Sequence, residues 1–350
     1  MSARQKSATG WKVFAIILMV VLGIVIVSNF VSFGDHLLAS GSGVHEKHKI
    51  LHEVTIEDNR SEHKIAVIEV SGVISGGSMD HSGMTMVEAI SEQFKAAGKA
   101  EEIKAVILKI DSPGGEVLAS DEIYHVIEEF QKKHKKPVVA SMQSLAASGG
   151  YYVAAPCQWI VANDMTITGS IGVIMHGYNY RGLMDKIGLV PEVFKSGKFK
   201  DMLSGDKKPE EISSEEREMV QNLVMETYSV FTNIVVKGRS ESARLNAGEG
   251  KQLSPEWMNY ADGRILSGRQ AESLGFVDEL GDFRKSVKRA MTLANISDAD
   301  LIQYQQPFDL GNLFKLFGKT EARTVKLDLG IKRLNLQPGS LYFLYPLAIP

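Results

Sequence analysis

From Ile65 onward the sequence predicts an α/β fold, and three observations carry that expectation. Short apolar runs alternate with longer segments of helical periodicity. Two of those runs end in glycine-rich turns, Asp111-Ser112-Pro113-Gly114-Gly115 and Ala147-Ser148-Gly149-Gly150. Ser213-Ser214-Glu215-Glu216 has the form of a capping box and opens a helical stripe of several turns.

The elements follow in order. Ile65-Ala66-Val67-Ile68-Glu69-Val70 reads as a first strand, residues 85–98 as a helix, and residues 105–110 as a buried strand. In the helix expected over 116–133, Val117, Ile123, Val126, Ile127 and Phe130 recur mostly at three- and four-residue spacing, which turns one stripe toward a sheet. The basic end, Lys132 to Lys136, suits a solvated helix C-terminus. Residues 138–142 form the next strand, and a helix starts after Ser148. Further short strands are expected at 159–162, 168–175 and 190–194. Val220, Leu223, Val224, Tyr228, Phe231, Ile234 and Val235 mark the long helical stripe. Asp262-Gly263-Arg264 makes a hairpin-like turn, and a short helix from Gly268 ends at Gly275 before a last strand. The domain is expected to span 65–294, with a tail over 295–350 that lacks a core of its own. Such a tail suits adding a strand to a neighbour's sheet, lying on a membrane or entering a substrate groove.

Composition excludes several classes. With 350 residues, 44% of them hydrophobic, the chain builds a real core rather than a disordered polymer. A formal charge of −3 and the lack of a basic stripe interleaved with aromatics argue against nucleic acid. Cys157 is the only cysteine, so no internal disulfide and no multi-cysteine metal site forms; it reads as a small buried hydrophobe. Residues 13–33 are apolar enough to span roughly 31 Å as a helix, which is one bilayer crossing. Arg4, Lys6 and Lys12 precede that run, placing residues 1–12 in the cytoplasm and the rest of the chain outside. Its length and the lack of a following Ala-x-Ala site favour a retained anchor over a cleaved signal. Residues 34–64 then read as a polar tether, and their scattered His45, His48 and His52 do not make a convincing metal site.

Chemistry concentrates at the glycine turns. Ser148 sits among residues too small to hide it, as a nucleophile attacking a bulky carbonyl requires. In an open α/β sheet the carboxyl ends of strands face the ligand crevice, so the two turns converge. Gly114 or Gly115 supplies one N–H to an oxyanion and Gly149 the other, each worth about 3 kcal/mol in the transition state. Serine needs a base. Among histidines past the first strand, His81 lies in a polar loop, His125 reads as packed at a helix–sheet boundary, His134 ends a charged helix, and only His176 is a backup base. Lysine serves when burial removes its charge, and Lys195, Lys198 and Lys200 follow the strand expected at 190–194; the residues alone do not choose among them.

These motifs, with Thr168-Gly169-Ser170-Ile171-Gly172-Val173, Lys195-Ser196-Gly197 leading to Lys200-Asp201, and Ala261-Asp262-Gly263-Arg264 ahead of Gly268-Arg269-Gln270-Ala271, resemble the signal peptide peptidase A family. The resemblance covers about residues 65–283. It implies a ClpP/crotonase-like repeated β-β-α superhelix in a membrane-anchored serine protease of the short, single-domain form. It further implies Ser148 as nucleophile, Lys200 as general base, Ser170 as the hydroxyl that orients the lysine, and an oxyanion hole from Gly114/Gly115 and Gly149. Lys195 and Lys198 are then bystanders. Phe199, directly before the base, departs from the small or polar residue expected there; its ring would suit desolvating the amine. The family implies residual signal peptides and other hydrophobic peptides as substrates, no cofactor or metal, and a ring-shaped homo-oligomer in which neighbouring protomers share the dyad. Two alternatives from other classes are a crotonase-type enzyme acting on acyl-CoA and an inert oligomeric scaffold for a membrane partner.

Overall fold

The computed structural model describes residues 51–77, 84–305 and 341–344. The anchor expected at 13–33, most of the tether and His81 lie outside them. No helix among the described residues is long and apolar enough to cross a membrane. In chain order the elements begin with β1 (His52–Glu57), β2 (Lys64–Ser71), α1 (Met86–Lys99), β3 (Ile103–Ser112), β4 (Gly114–Glu116), α2 (Val117–His134) and β5 (Val138–Ala147). Next come α3 (Gly149–Ala154), β6 (Trp159–Ala162), β7 (Ile167–Gly169), β8 (Ile174–Met175), α4 (Arg181–Lys186) and α5 (Ser214–Leu245). The chain continues through β9 (Ile265–Ser267), α6 (Gly268–Ser273), β10 (Glu279–Leu280), α7 (Phe283–Ala294), β11 (Asp300–Gln305) and β12 (Leu341–Leu344).

The fold is mixed α/β. Among the described residues its main sheet is nine-stranded, with the order β1-β11-β2-β3-β5-β6-β10 and with β7 and β9 joined beside β5, and is parallel except where β1 meets β11 and β7 meets β9. Both faces of the central strands are covered, which is why their sequences read as nearly unbroken apolar runs. Ala66, Ile68, Val70, Val106 and Leu108 pack with Phe94 of α1 and Phe130 of α2, while the alternate residues Ile65, Val67 and Ile107 pack with Trp159, Ala290 and Leu301. One edge of β5 serves two partners in turn: Val139 to Met142 pair with β6, and Leu145 to Ala147 pair with β7, which also pairs with β9. A second sheet, β4-β12-β8, is antiparallel and much shorter.

Several local expectations change. The segment read as tether supplies β1, and the tail supplies β11, which inserts between β1 and β2, and β12. Their partners are distant in sequence, so no local pattern announces them. The strand expected at 190–194 is absent; Val190, Val193 and Phe194 lie exposed with no sheet edge to join. The run 168–175 splits into β7 and β8 because Ser170 adopts φ 51° between them. Lys132, Lys133 and Lys135 are exposed as expected, but Lys136 is half-buried. Its Nζ donates to the carbonyls of Ala97 and Ala100 at 2.9 and 2.7 Å, capping the end of α1. His125 is exposed on α2 rather than packed at the sheet, 3.4 Å from Asp121. Cys157 is buried as expected, and that burial pushes its thiol pKa up. At the start of α5 the Ser213 hydroxyl accepts from Glu216 N–H, but the Glu216 carboxylate bonds Lys207 instead of closing a capping box. The α5 stripe is buried from Phe231 to Ser242, where Gly238 lets the helix pack directly on the Ala155 carbonyl; Leu223 and Val230 stay exposed.

The C-terminal half of α5 is locked to the domain by a buried ion pair. The Arg239 guanidinium meets Asp278, whose carboxylate also accepts from the N–H of Ile160 (2.8 Å) and of Lys251 (3.0 Å). Removing one partner strands the other charge in the interior. Asp278→Asn is therefore expected to lower unfolding free energy by about 3–5 kcal/mol, read as a shift in the urea midpoint; an unchanged midpoint would refute the account.

Candidate active site

Ser148 occupies the junction of β5 and α3 with φ 54° and ψ −117°, a backbone conformation that costs a non-glycine residue of order 1–3 kcal/mol. Two bonds hold it there. Its N–H donates to the Gly169 carbonyl of β7 at 2.8 Å, and its own carbonyl accepts from Tyr152 N–H at 2.9 Å. The glycines after it are required by packing more than by access to the hydroxyl. A Cβ on Gly149 would stand 2.7 Å from Ser120 Oγ and 3.1 Å from Gly114 Cα, and one on Gly150 would stand 2.8 Å from the Ser112 carbonyl. The reading of an openly approachable serine is corrected to this extent: Ser148 is 1% exposed.

The opposing wall is the β3–β4 turn. Gly114 has φ 95°, and its missing Cβ would lie 2.5 Å from Gly149 N and against the Phe343 carbonyl of β12. Its N–H donates to Ser112 Oγ at 3.1 Å, and its carbonyl accepts from Ile74 N–H at 2.9 Å. Glu116 N–H returns to Ile74 at 2.8 Å, so the alternation of the strand turns the Gly115 N–H to the other edge, toward β12. Of the two glycines that the sequence left open, Gly114 turns its N–H to Ser112 Oγ, and Gly115 is the one whose N–H faces the strand laid along β4, opposite Phe343. Gly149 opens α3, where a first-turn N–H has no carbonyl of its own helix to meet. The Gly149 position lies close to Gly115 N, from which a Cβ on it would stand 3.1 Å away, so the two turns meet backbone to backbone.

Ser170 follows β7 just as Ser148 follows β5, and the register pairs Ala147 with Gly169, so the two serines leave adjacent strand ends side by side. Ser170 is also left-handed, nearly buried, and held by its N–H on the Arg264 carbonyl at 2.7 Å. The lysines differ. Lys195 pairs with Asp201 and Lys198 with Glu215, whereas Lys200 is exposed and has no ion pair or side-chain hydrogen bond to a described residue. Phe199 does not desolvate it; the ring lies 4.6 Å from the Lys198 amine. Within the single chain no hydrogen bond among the described residues joins Lys200 to Ser148 or Ser170. His176 is half-buried, edge-on to Tyr178 at 4.8 Å, with an unpartnered Nε2.

Sequence reasoning missed what surrounds the turns. Ser112, inside the quoted motif, caps Gly114; Ser120 sits under Gly149 and donates to the Glu116 carbonyl at 2.9 Å. Tyr152 stacks on Phe343 at 4.7 Å and donates to Asp121 at 2.6 Å; burial pushes its phenol pKa up. Beside them opens a cavity of about 770 Å³ between Leu118, Tyr152, Met175, Leu223 and Val230. No group of three His, Cys, Asp or Glu among the described residues is placed to hold a metal ion. Gly149→Ala is expected to push Gly149 off the Gly114 turn and cut turnover of a peptide by about 100-fold, with partial recovery when Ser120→Gly makes room. Steady-state assays of both variants check this, and full activity of Gly149→Ala would contradict it.

Comparison with known proteins gives this geometry a context. Residues 130–297 match the model of peptidase family S49. A Synechocystis sp. protein bearing the protease name slr0021 is 36% identical over 270 residues, which is 77% of this chain and 88% of the relative. An Enterococcus faecium chain bearing the name signal peptide peptidase SppA is 36% identical over 258 residues, 72% of this chain and 70% of its own. A ClpP1 point mutant from Listeria monocytogenes aligns with 63% of this chain and 94% of its own at TM-score 0.39 and 15% identity. The chain belongs to peptidase family S49 and is a serine peptidase.

Proposed function

We propose that the chain is an endopeptidase with a Ser148–Lys200 dyad that cuts signal peptides and other extended, apolar peptides. The observation that carries the reading is the strained Ser148–Gly149 elbow packed directly on the Gly114–Gly115 turn. In the first step Ser148 Oγ bonds to the scissile carbonyl carbon while its proton passes to the Lys200 amine. The carbonyl oxygen takes the negative charge between the Gly115 and Gly149 N–H groups. The C–N bond then breaks, the leaving amine receives the proton from Lys200, and water hydrolyses the Ser148 ester with the same base assisting. Ser170 orients the amine. A peptide pairs with the edges of β4 and β8 along the course taken by β12, placing alternate side chains against Tyr152 and Phe231. The peptidase family disfavours the acyl-CoA alternative.

The finer organisation belongs to the same reading. β3, the short crossing strand β4 and helix α2 form one β-β-α unit of a ClpP/crotonase-like superhelix. A lysyl amine accepts a proton only when uncharged, which a dry site favours, and Lys200 is exposed in one chain. Leu183, Ile187, Val190 and Phe194 lie exposed in the segment leading to it, Phe194 at 89%. Soluble surfaces rarely leave such a run uncovered. A second copy in a ring-shaped homo-oligomer covers it and carries Lys200 to a neighbour's Ser148. Residues 13–33 anchor the assembly in the cytoplasmic membrane, with residues 1–12 in the cytoplasm and the catalytic domain outside.

A serine-reactive fluorophosphonate is expected to label the full-length protein and to fail on Ser148→Ala and, nearly completely, on Lys200→Ala. Mixing the two inactive chains before assembly is expected to restore peptide cleavage, since some sites then receive Ser148 from one copy and Lys200 from another. Labelling and turnover that persist in both variants would overturn the dyad; two inactive variants that never complement would confine it to one chain.

A further inference from the structure

The base of the proposed dyad stands on an unusual support. Among the described residues no helix or strand lies between Lys186 of α4 and Pro209, so Lys200 rides on a chain of tight turns. Backbone bonds from Lys200 to Gly197 (3.2 Å), Met202 to Phe199 (3.0 Å) and Ser204 to Asp201 (3.1 Å) hold those turns internally; the backbone of the segment is tied back further on, by Tyr180 N–H to the Gly205 carbonyl (2.8 Å) and Asn179 Nδ2 to the Lys207 carbonyl (2.9 Å). A general base displaced by about 1 Å loses of order 100-fold in rate. Something must fix the turn.

Its neighbour Asp201 supplies the connection. The Asp201 carboxylate accepts from Lys195 Nζ at 2.8 and 3.0 Å and lies 3.5 Å from Lys207 Nζ. Lys207 Nζ also donates to Glu216 Oε1 at 2.6 Å. Glu216 is nearly buried in the first turn of α5, with its N–H held by Ser213 Oγ and its Oε2 without a partner among the described residues. A second tie, Lys198 to Glu215, has both side chains more than half exposed and is screened by water. Lys207, at 11% exposure, is the shielded link. Lys195 beside Asp201 holds that carboxyl below the usual range, and Glu216 holds the Lys207 amine above it, so both remain charged at neutral pH. Two carboxylates against two ammonium groups leave no net charge next to the base.

We infer that Lys207, bridging Asp201 and Glu216, is a positioning residue that fixes the turn carrying Lys200 to the N-terminus of α5. The inference rests on the reading of Lys200 as the base. Glu216 is diverted from its capping box to this purpose, which accounts for a capping pattern in the sequence that closes only by half.

The test compares Lys207→Met, Lys207→Arg, Lys200→Ala and the double variant Lys200→Ala/Lys207→Met in the full-length protein, using a fluorogenic peptide and the rate of fluorophosphonate labelling. Lys207→Met is expected to lower kcat by about 10–100-fold with KM nearly unchanged, and Lys207→Arg, which keeps the cation, to restore most of it. In the Lys200→Ala background Lys207→Met is expected to add no further loss, because two residues acting through one amine are not additive. Should Lys207→Met fail to fold, Glu216→Gln removes the same link at constant volume and carries the same expectation. Unimpaired kcat in Lys207→Met, a loss confined to KM, or an equal further loss without Lys200 would overturn the inference. An inactive Lys200→Ala beside an unimpaired Lys207→Met would sink the positioning role alone, whereas an active Lys200→Ala would sink the base assignment and this role with it.

Discussion

Everything at the centre of this molecule depends on two backbone turns meeting without side chains between them. β3 and β5 run parallel, and their ends, Ser112 against Ala146, bring the Gly114–Gly115 turn onto the Ser148–Gly149 elbow. Any Cβ at Gly114, Gly149 or Gly150 would strike backbone or a buried hydroxyl. The left-handed conformations of Ser148 and Ser170 are the conformational cost of that contact. They persist because a sheet buried on both faces over-determines them: Ser148 is tied to β7, and Ser170 to the segment that becomes β9.

Charge is distributed by the same logic. Where a side chain must be immovable, its charge is buried and doubly satisfied, as with Arg239 and Asp278. Where an element only needs an end stopped, a single lysine suffices, as Lys136 does for α1. The outlying segment around Lys200 has neither a core nor a ladder, so ion pairs of intermediate shielding take over what packing does elsewhere. Such pairs order a loop without the desolvation cost of full burial.

The sheet and the glycine-flanked elbow at Ser148 were legible in the sequence because both depend on local pattern. β2, β3, β5 and β6 are apolar runs whose alternate residues face two covered surfaces, and the glycines of the two turns are conspicuous because contact allows nothing larger. Pairing with remote partners left no such trace: β1 with β11, and β12 with β4 and β8, join segments far apart in the chain. Val190 to Phe194 looked like a strand for an opposite reason. Their apolar character fits a buried surface, and within one chain that surface has no other side. The choice among Lys195, Lys198 and Lys200 was equally closed to residue chemistry, because what separates them is which ones find a carboxylate.

β12 carries the last step. A tail segment with no core of its own is nonetheless buried at Tyr342 and Phe343, since it finds two unpaired edges and an aromatic cleft ready for it. Burying one phenylalanine contributes about 1.5–3 kcal/mol, and each backbone bond to an otherwise open edge adds to that. On the proposed reading, an extended peptide entering by the same edges would gain similar terms, and its affinity would be the difference between two strands competing for one place. On that reading, discrimination then rests on how well a peptide's alternate side chains fill the space between Tyr152 and Phe231 relative to Phe343, since backbone pairing is common to both.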